Sequence, residues 1–184
     1  LHFLKTQQQA WVMSAPGDNM TPTDQDQRPR SIVKIQLDEK SFLRRRPEVE
    51  HEREVALFDL LEENKFVLKG EGASPGPYHL KLKLAEDRLV FDLCDTKDVP
   101  QQEITMPVKP FRSVIKDYFL ICESYFDAIK TSSPSQIEAI DMGRRGLHNE
   151  GAQMLKERLE TDVDIDQPTS RRFFTLLCVL HMRG

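Results

Sequence analysis

The chain has 184 residues, of which 39% are apolar and 30% charged, so it can bury a core and wholesale disorder is not expected. The 26 Lys and Arg side chains against 30 Asp and Glu give a net charge of −4. That balance argues against a protein whose whole surface binds polyanions. No apolar run reaches the roughly 18 residues that a membrane helix needs, so we expect no membrane contact.

The first 30 residues have the composition of a tail. They are polar, with three prolines in the second half, and we expect residues 1–30 to be a disordered N-terminal segment before a single domain over 31–184. No apolar stretch with a cleavage motif follows the N-terminus, which predicts the absence of a secretory signal. The chain begins at Leu1, and Met13 and Met20 are both reasonable start residues.

The three cysteines, Cys94, Cys122 and Cys178, stand in apolar stretches without CxxC spacing. This pattern predicts buried thiols in a reducing, cytoplasmic compartment. The spacing does not indicate a zinc site, and a disulfide framework is the weaker interpretation.

Strands are predicted mainly in the first half of the domain. Val33, Ile35 and Leu37 alternate with polar residues, which indicates a strand over 31–37. The same alternation over 78–84, 89–93 and 104–108 predicts a meander of three more strands, with Pro107 at an edge. One face of this sheet is apolar and the other charged, so we expect helices on one side only.

Helices are predicted on both sides of the meander in sequence. Pro47 suits the first turn of a helix that should run to about Glu63, with an apolar stripe formed by Val55, Leu57, Phe58 and Leu61. Pro110 opens the most regular helix of the chain. Its stripe follows three-four spacing and contains Phe111, Val114, Ile115, Tyr118, Phe119, Cys122, Tyr125, Phe126 and Ile129.

Two more helices make the C-terminal half helical. Residues 133–136, Ser-Pro-Ser-Gln, form a capping box for a helix that should extend to about Glu160. Asp166 is a candidate cap for the last helix, which contains the apolar run 173–180. The element order predicts an α+β fold in which about four helices cover one face of a small antiparallel sheet of about four strands.

The stretch DMGRRGLHNEG at 141–151 departs from ordinary helix composition. It holds three of the eight glycines, each costing about 1 kcal/mol in a helix, so close packing or a helix break must offset them. A helical projection places Asp141, Arg144 and His148 on the apolar side. Asp141 can meet Arg145, and Arg144 can meet His148, at i,i+4. Charges on a buried face must pair, bind a ligand or line an opening.

Two interpretations of this stretch stay open. In the first, Arg144 or Arg145 holds an anion in a polar pocket, and His148, oriented by Asp141, titrates near neutral pH as an acid or base. In the second, which we weigh above the first, the same residues form a structural salt-bridge network. Asn149 and Glu150 point away from this line and could serve another surface.

Other polar groups give weaker signals. Arg171 and Arg172 fall in the first turn of the last helix, where Asp162, Asp164 and Asp166 are the expected partners and a bound anion is the alternative. His181 near Cys178, and the His51-Glu52 pair, do not complete a metal motif. The chain lacks a phosphate-binding loop, a GxSxG motif and a dinucleotide fingerprint, so we predict no metal and no cofactor.

Four blocks of the sequence resemble a small bacterial family, the uncharacterised family numbered two-six-two in the UPF series. The blocks are EHEREVALFDLLEEN (50–64), FRSVIKDYFLICESYFDAI (111–129), PSQIEAIDMGRRGLHNEG (134–151) and RRFFTLLCVLHMRG (171–184). The resemblance covers roughly residues 31–184. It implies a cytosolic bacterial protein of about this size, and it brings no activity, cofactor or catalytic residue.

Three hypotheses of function follow. The first is a binding or regulatory module that acts on an unknown protein partner through residues 141–150. The second is an enzyme or sensor for a small anionic, phosphorylated metabolite, with His148 and Asp141 as candidate catalytic residues. Its ligand-binding candidates are Arg144, Arg145, His148, Asn149, Glu150, Arg171 and Arg172.

The third and weakest hypothesis is RNA or ribosome association through the arginines at 44–46 and at 28–30. The strongly acidic segment that follows argues against nucleic acid as a partner. Self-association is compatible with the apolar surface of the aromatic helix.

Overall fold

The computed structural model describes residues 28–38 and 47–181. The predicted tail up to residue 27 and the arginines at 44–46 lie outside these ranges. The elements follow in the order β1 (Ile32–Asp38), α1 (Pro47–Glu62), β2 (Phe66–Leu68), β3 (Tyr78–Ala85), β4 (Arg88–Cys94), β5 (Pro100–Pro107), a 3₁₀ turn (Lys109–Phe111), α2 (Arg112–Thr131), α3 (Pro134–Leu159), β6 (Val163–Ile165) and α4 (Gln167–His181).

The predicted α+β architecture is confirmed, with one difference in strand pairing. The main sheet has the order β1-β3-β4-β5, and its last three strands form the expected antiparallel meander. Strand β1 instead pairs with β3 in parallel, with Ile35 opposite Leu80 and Leu37 opposite Leu82. The sheet is therefore mixed, because α1 lies in the connection between β1 and β3 and carries the chain back to the starting edge.

A second, two-stranded sheet escapes prediction. Strands β2 and β6 have three residues each and pair antiparallel, with Phe66 opposite Ile165 and Leu68 opposite Val163. Segments this short carry too little alternation to be recognised, and their pairing joins residues about a hundred positions apart. The sheet fixes the start of α4 beside the end of α1.

The predicted apolar stripe of α1 is wrong. Ala56 and Leu60 are the buried residues, whereas Phe58 is 64% exposed and Leu57 only half-buried. Apolar residues are spread around this helix, so their spacing does not define a single inward face. Contacts with α4 and β1 set the rotation of the helix, and the small Ala56 faces the core.

Helices α2 and α3 are buried at only one end of their hairpin. The buried residues of α2 are mainly at its N-terminal end, at Val114, Ile115 and Tyr118, and those of α3 begin at His148. Towards the other end of α2, Phe126 and Ile129 are exposed, against the prediction of a continuous core stripe. The two helices have 20 and 26 residues against 15 in α4, so the hairpin is longer than the helix it packs against.

The glycine-containing helix α3 runs without a break from Pro134 to Leu159, and both hydrogen bonds of the predicted capping box are present. A Cβ added at Gly151 would lie 2.2 Å from the ring of Phe174, and one at Gly143 would lie 2.7 Å from Ile121. Close packing at these two positions therefore offsets the low helix propensity of glycine.

Helix α4 is the central element of the core. Asp166 accepts a hydrogen bond from the Thr169 amide, as its predicted role as cap requires. The run 173–180 is buried throughout except at Thr175, and Phe173 packs edge-to-face on Phe66 and Phe91. All three cysteines are free thiols; Cys178 is buried, and Cys94 and Cys122 are half-buried.

Within residues 28–38 and 47–181, no helix combines the length and apolar character that crossing a bilayer requires.

Candidate functional site

A cavity of about 510 Å³ lies among the four helices. Two of its walls are stripes with i, i+3, i+4, i+7 spacing, so each wall is one face of a helix. The α1 wall consists of Glu52, Val55, Ala56 and Asp59, and the α4 wall consists of Pro168, Arg171, Arg172 and Thr175, with Gln167 beside it. Tyr118 from α2 and Arg144 and His148 from α3 complete the lining.

Asp141 binds both Arg144 and Arg145 on α3. Its Oδ1 accepts hydrogen bonds from Nε and Nη2 of Arg144 at 3.0 and 2.8 Å, and its Oδ2 lies 3.1 Å from Nε of Arg145. The predicted Asp141–Arg145 pair is therefore present. Arg144 is held by this carboxylate rather than by His148, and its guanidinium lies over the ring of Tyr125 at 5.3 Å. These contacts fix the direction in which Arg144 enters the cavity.

The two arginines differ in their surroundings. The Arg144 side chain is 23% exposed and lines the cavity, whereas that of Arg145 is 55% exposed and lies outside it. Burial disfavours the charge on Arg144, but the interactions with Asp141 and Tyr118 together outweigh that effect and raise its pKa.

His148 is buried, with 7% of its surface exposed, between the rings of Tyr118 and Phe174, whose centroids are each 5.3 Å from its own. Its Nε2 lies 2.9 Å from Oγ1 of Thr175, and that hydroxyl donates to the carbonyl of Arg171. Because a hydroxyl has one proton to donate, we assign the shared proton to Nε2. The buried Nδ1 then remains an acceptor without a partner in the described part of the chain.

This environment keeps His148 neutral. Burial lowers its pKa to about 3, and the positive charges of Arg171 and Arg144 act in the same direction. This environment therefore disfavours the expected titration near neutral pH, and Thr175 rather than Asp141 contacts the imidazole. At physiological pH this side chain is therefore an uncharged part of the cavity wall and does not act as an acid in its imidazolium form.

Arg171 has no hydrogen bond or ion pair on its side chain to any residue of 28–38 or 47–181. The side chain is half-buried in the cavity wall. Burial lowers the pKa of this guanidinium, and the charge of Arg144 adds to that effect. A partly desolvated cation without a carboxylate beside it is energetically unfavourable, so an anion placed here would be stabilised.

The three acids predicted to neutralise this turn have other partners. Asp164 pairs with Lys65 at 2.6 Å, Asp166 caps α4, and Asp162 accepts a hydrogen bond from Thr161. The prediction is wrong because the acids belong to β6 and its ends, where they point towards β2 and the helix start. Arg172 donates instead to the carbonyl of Glu63 at 2.6 Å.

The cavity brings together four of the predicted site residues: Arg144, His148, Arg171 and Arg172. Asn149 and Glu150 are exposed and, like Arg145, do not line it. Sequence reasoning missed Tyr118 and Thr175, which it assigned to the core, and also the α1 wall. The i, i+3, i+4, i+7 spacing of Glu52 and Asp59 around two apolar residues is a signal that could have indicated this wall.

Other candidate sites are less developed. A smaller cavity of about 350 Å³ adjoins Val33, Lys34, His79 and Thr96, where Nδ1 of His79 lies 2.7 Å from a carboxylate oxygen of Asp98. Among residues 28–38 and 47–181, no three His, Cys, Asp or Glu side chains converge as metal ligands would. The guanidinium of Arg28 donates to the carbonyls of Leu61 and Glu62 and is thus bound within the fold.

These features define an α+β protein with a polar cavity between four helices, lined by an arginine without a counter-ion in the described structure. The chain belongs to the uncharacterised protein family UPF0262, whose model matches residues 29–183. A UPF0262 protein of Rhodospirillum rubrum is 60% identical over 153 residues, covering 83% of this chain and 93% of the relative.

Similar proteins occur in other bacteria. A UPF0262 protein of Paramagnetospirillum magneticum is 57% identical over 155 residues, covering 84% of this chain and 98% of the relative. One of Mesorhizobium japonicum is 54% identical over 162 residues, covering 88% and 99%. No solved structure matches the chain.

Proposed function

We propose that the chain is a binding module whose four-helix cavity holds the anionic group of a small molecule through Arg171, with Arg144 held in the same lining by Asp141. The observation that carries this proposal is the half-buried Arg171 guanidinium, which has no acceptor on its side chain in the described residues. A carboxylate or phosphate would accept charge-assisted hydrogen bonds from this guanidinium and replace the solvation that burial removes.

The surroundings of Arg171 favour binding over acid–base catalysis. Among the titratable groups of the cavity lining, His148 has the reference pKa closest to neutral pH. Burial nevertheless lowers its pKa to about 3. At neutral pH it has no proton to give as an imidazolium, and as a base it would be very weak. We therefore assign His148 and Thr175 to shaping the cavity, and Asp141 to holding Arg144.

A small ligand also fits the geometry better than a protein partner. The cavity volume of about 510 Å³ lies within the range of sites for small molecules. Of the stretch 141–150, only Arg144 and His148 line the cavity. Both are side chains of α3 that point between the helices. Because all four helices contribute to the walls, ligand binding could also regulate how they pack.

The test is an NMR titration of the ¹⁵N-labelled chain with inorganic phosphate and with acetate at low ionic strength. We expect amide shifts to concentrate at residues 167–175 and around Arg144. In Arg171→Gln, affinity should fall about tenfold or more, because a charged hydrogen bond contributes about 1.5–3 kcal/mol.

The matched control is Arg88→Gln, which removes an exposed arginine on β4 that bonds Thr105. This variant should bind as the unmodified chain does. Equal losses in both variants would show a nonspecific charge effect, and unchanged binding in Arg171→Gln would refute the site.

A further inference from the structure

The cavity carries opposite charges on two of its walls. Glu52 and Asp59 belong to the α1 wall, and Arg171 belongs to the α4 wall. None of these three side chains has a hydrogen bond or ion pair within the described ranges, although all line one cavity. Both signs of charge are therefore present in one lining without pairing directly with each other.

The other charged side chains of the lining already have partners within the fold. Arg144 is neutralised by Asp141, and Arg172 donates to the carbonyl of Glu63. His148 is uncharged at neutral pH, as described above. The cations available to a ligand are therefore Arg171 and the adjacent Arg172, whose bond to a neutral carbonyl leaves its charge in place, and the available anions are the two carboxylates of α1.

Apolar side chains stand beside these charges in the lining. Val55 and Ala56 lie between Glu52 and Asp59 along α1, whose two acids are about 10 Å apart along the helix axis. Tyr118 adds an aromatic ring from α2. A ligand with a single charge would bring that charge towards its counter-ion but would also meet unpaired charge of its own sign in the same cavity.

We propose that the ligand is zwitterionic, with an ammonium group facing Asp59 or Glu52, a carboxylate or phosphate facing Arg171, and a short organic part between them. This inference rests on the proposed function, since it takes Arg171 as the anion-binding residue. It adds the requirement for a cation on the same molecule. Amino acids and aminoalkyl phosphates are the chemical classes with this arrangement.

The test compares probes that differ only in the ammonium group. Phenylalanine is titrated against 3-phenylpropionate, and phosphoethanolamine against ethyl phosphate, with amide shifts of α1 and α4 followed by NMR. In at least one pair we expect the zwitterion to bind roughly two- to fivefold more tightly, the gain typical of one partly solvated ion pair. The pair that shows the preference distinguishes carboxylate from phosphate.

Charge-neutral variants give the decisive comparison. Asp59→Asn and Glu52→Gln should together weaken zwitterion binding and strengthen binding of the matched simple anion, because they remove an attractive partner from one and a repulsive one from the other. Glu54→Gln is the matched control, since Glu54 is exposed on the same helix and does not line the cavity. It should leave the ratio of affinities unchanged.

The two proposals fail in different ways. If simple anions bind in an Arg171-dependent manner but neither zwitterion gains affinity, the inference is overturned and the proposed function stands. If the α1 variants strengthen binding of zwitterion and anion alike, the inference is likewise overturned. If none of these probes produces Arg171-dependent shifts, both proposals fall.

Discussion

His148 provides a test of the cavity, because its burial should make the free energy of unfolding decrease as the pH falls. The imidazole lies between Tyr118 and Phe174 with its Nε2 bonded to Thr175, and the charges of Arg171 and Arg144 oppose a second proton. Its pKa is lowered from 6.5 to about 3 in the folded chain. In the unfolded chain the imidazole is solvated and titrates near its ordinary value.

The sign and size of the effect follow from this difference. Above the unfolded pKa both states hold a neutral imidazole, so His148 adds no pH dependence to the free energy of unfolding. As pH falls below it, only the unfolded state takes up the proton, and stability decreases by about 1.4 kcal/mol per pH unit until the folded pKa is reached. Between pH 8 and pH 5 the loss from His148 alone amounts to about 2 kcal/mol.

The assay is urea unfolding near pH 8 and pH 5, for the unmodified chain and for His148→Gln. Glutamine keeps a donor for Thr175 but does not titrate, so the stability loss on acidification should be about 2 kcal/mol smaller in this variant. His51→Gln, which replaces an exposed imidazole on α1, should retain the full loss. An equal acid-induced loss in His148→Gln and the unmodified chain, or an NMR titration of His148 near its reference pKa, would refute the buried geometry.

Four further substitutions test the packing of the site and its helices by urea unfolding. Gly151→Ala should destabilise the chain by about 1–3 kcal/mol, because its Cβ would fall 2.2 Å from an aromatic ring, whereas Gly146→Ala, with open space, should stabilise it by about 1 kcal/mol. Shifts of the same sign in both would contradict the packing. Thr175→Val leaves Nε2 of His148 without an acceptor and should cost about 1–3 kcal/mol, while little change would mean that this bond is not formed. Ser133→Ala should cost about 1 kcal/mol through loss of the α3 cap, and no loss would argue that the helix end is already frayed.

Local signals predict most of the secondary structure correctly. The alternation at residues 78–84 and 89–93 is enough to indicate β3 and β4, and the capping box at Ser133 locates the start of α3. These features depend on interactions between near neighbours in the chain. The parallel pairing of β1 and the rotation of α1 depend on contacts between distant elements, so spacing alone does not determine them.

The candidate site divides in the same way. The inward direction of His148 and the Asp141–Arg145 pair follow from the period of one helix, and the structure contains both. The Thr175 partner of His148 lies 27 residues away on α4, and helical periodicity in α3 contains no information about it. The wrong pairing of Arg171 with upstream acids has the same origin, since proximity in sequence was taken for proximity in space.

The structure also changes the relation between the two interpretations of the stretch 141–151. A salt-bridge network and a ligand pocket were alternatives as long as the same arginines had to serve both. Asp141 satisfies Arg144 and Arg145, so the network accounts for these two arginines without any ligand. It leaves Arg171 unaccounted for, because no carboxylate of the described chain pairs with it. The argument for a ligand therefore rests on α4, and the network supports it by holding Arg144 at the cavity wall.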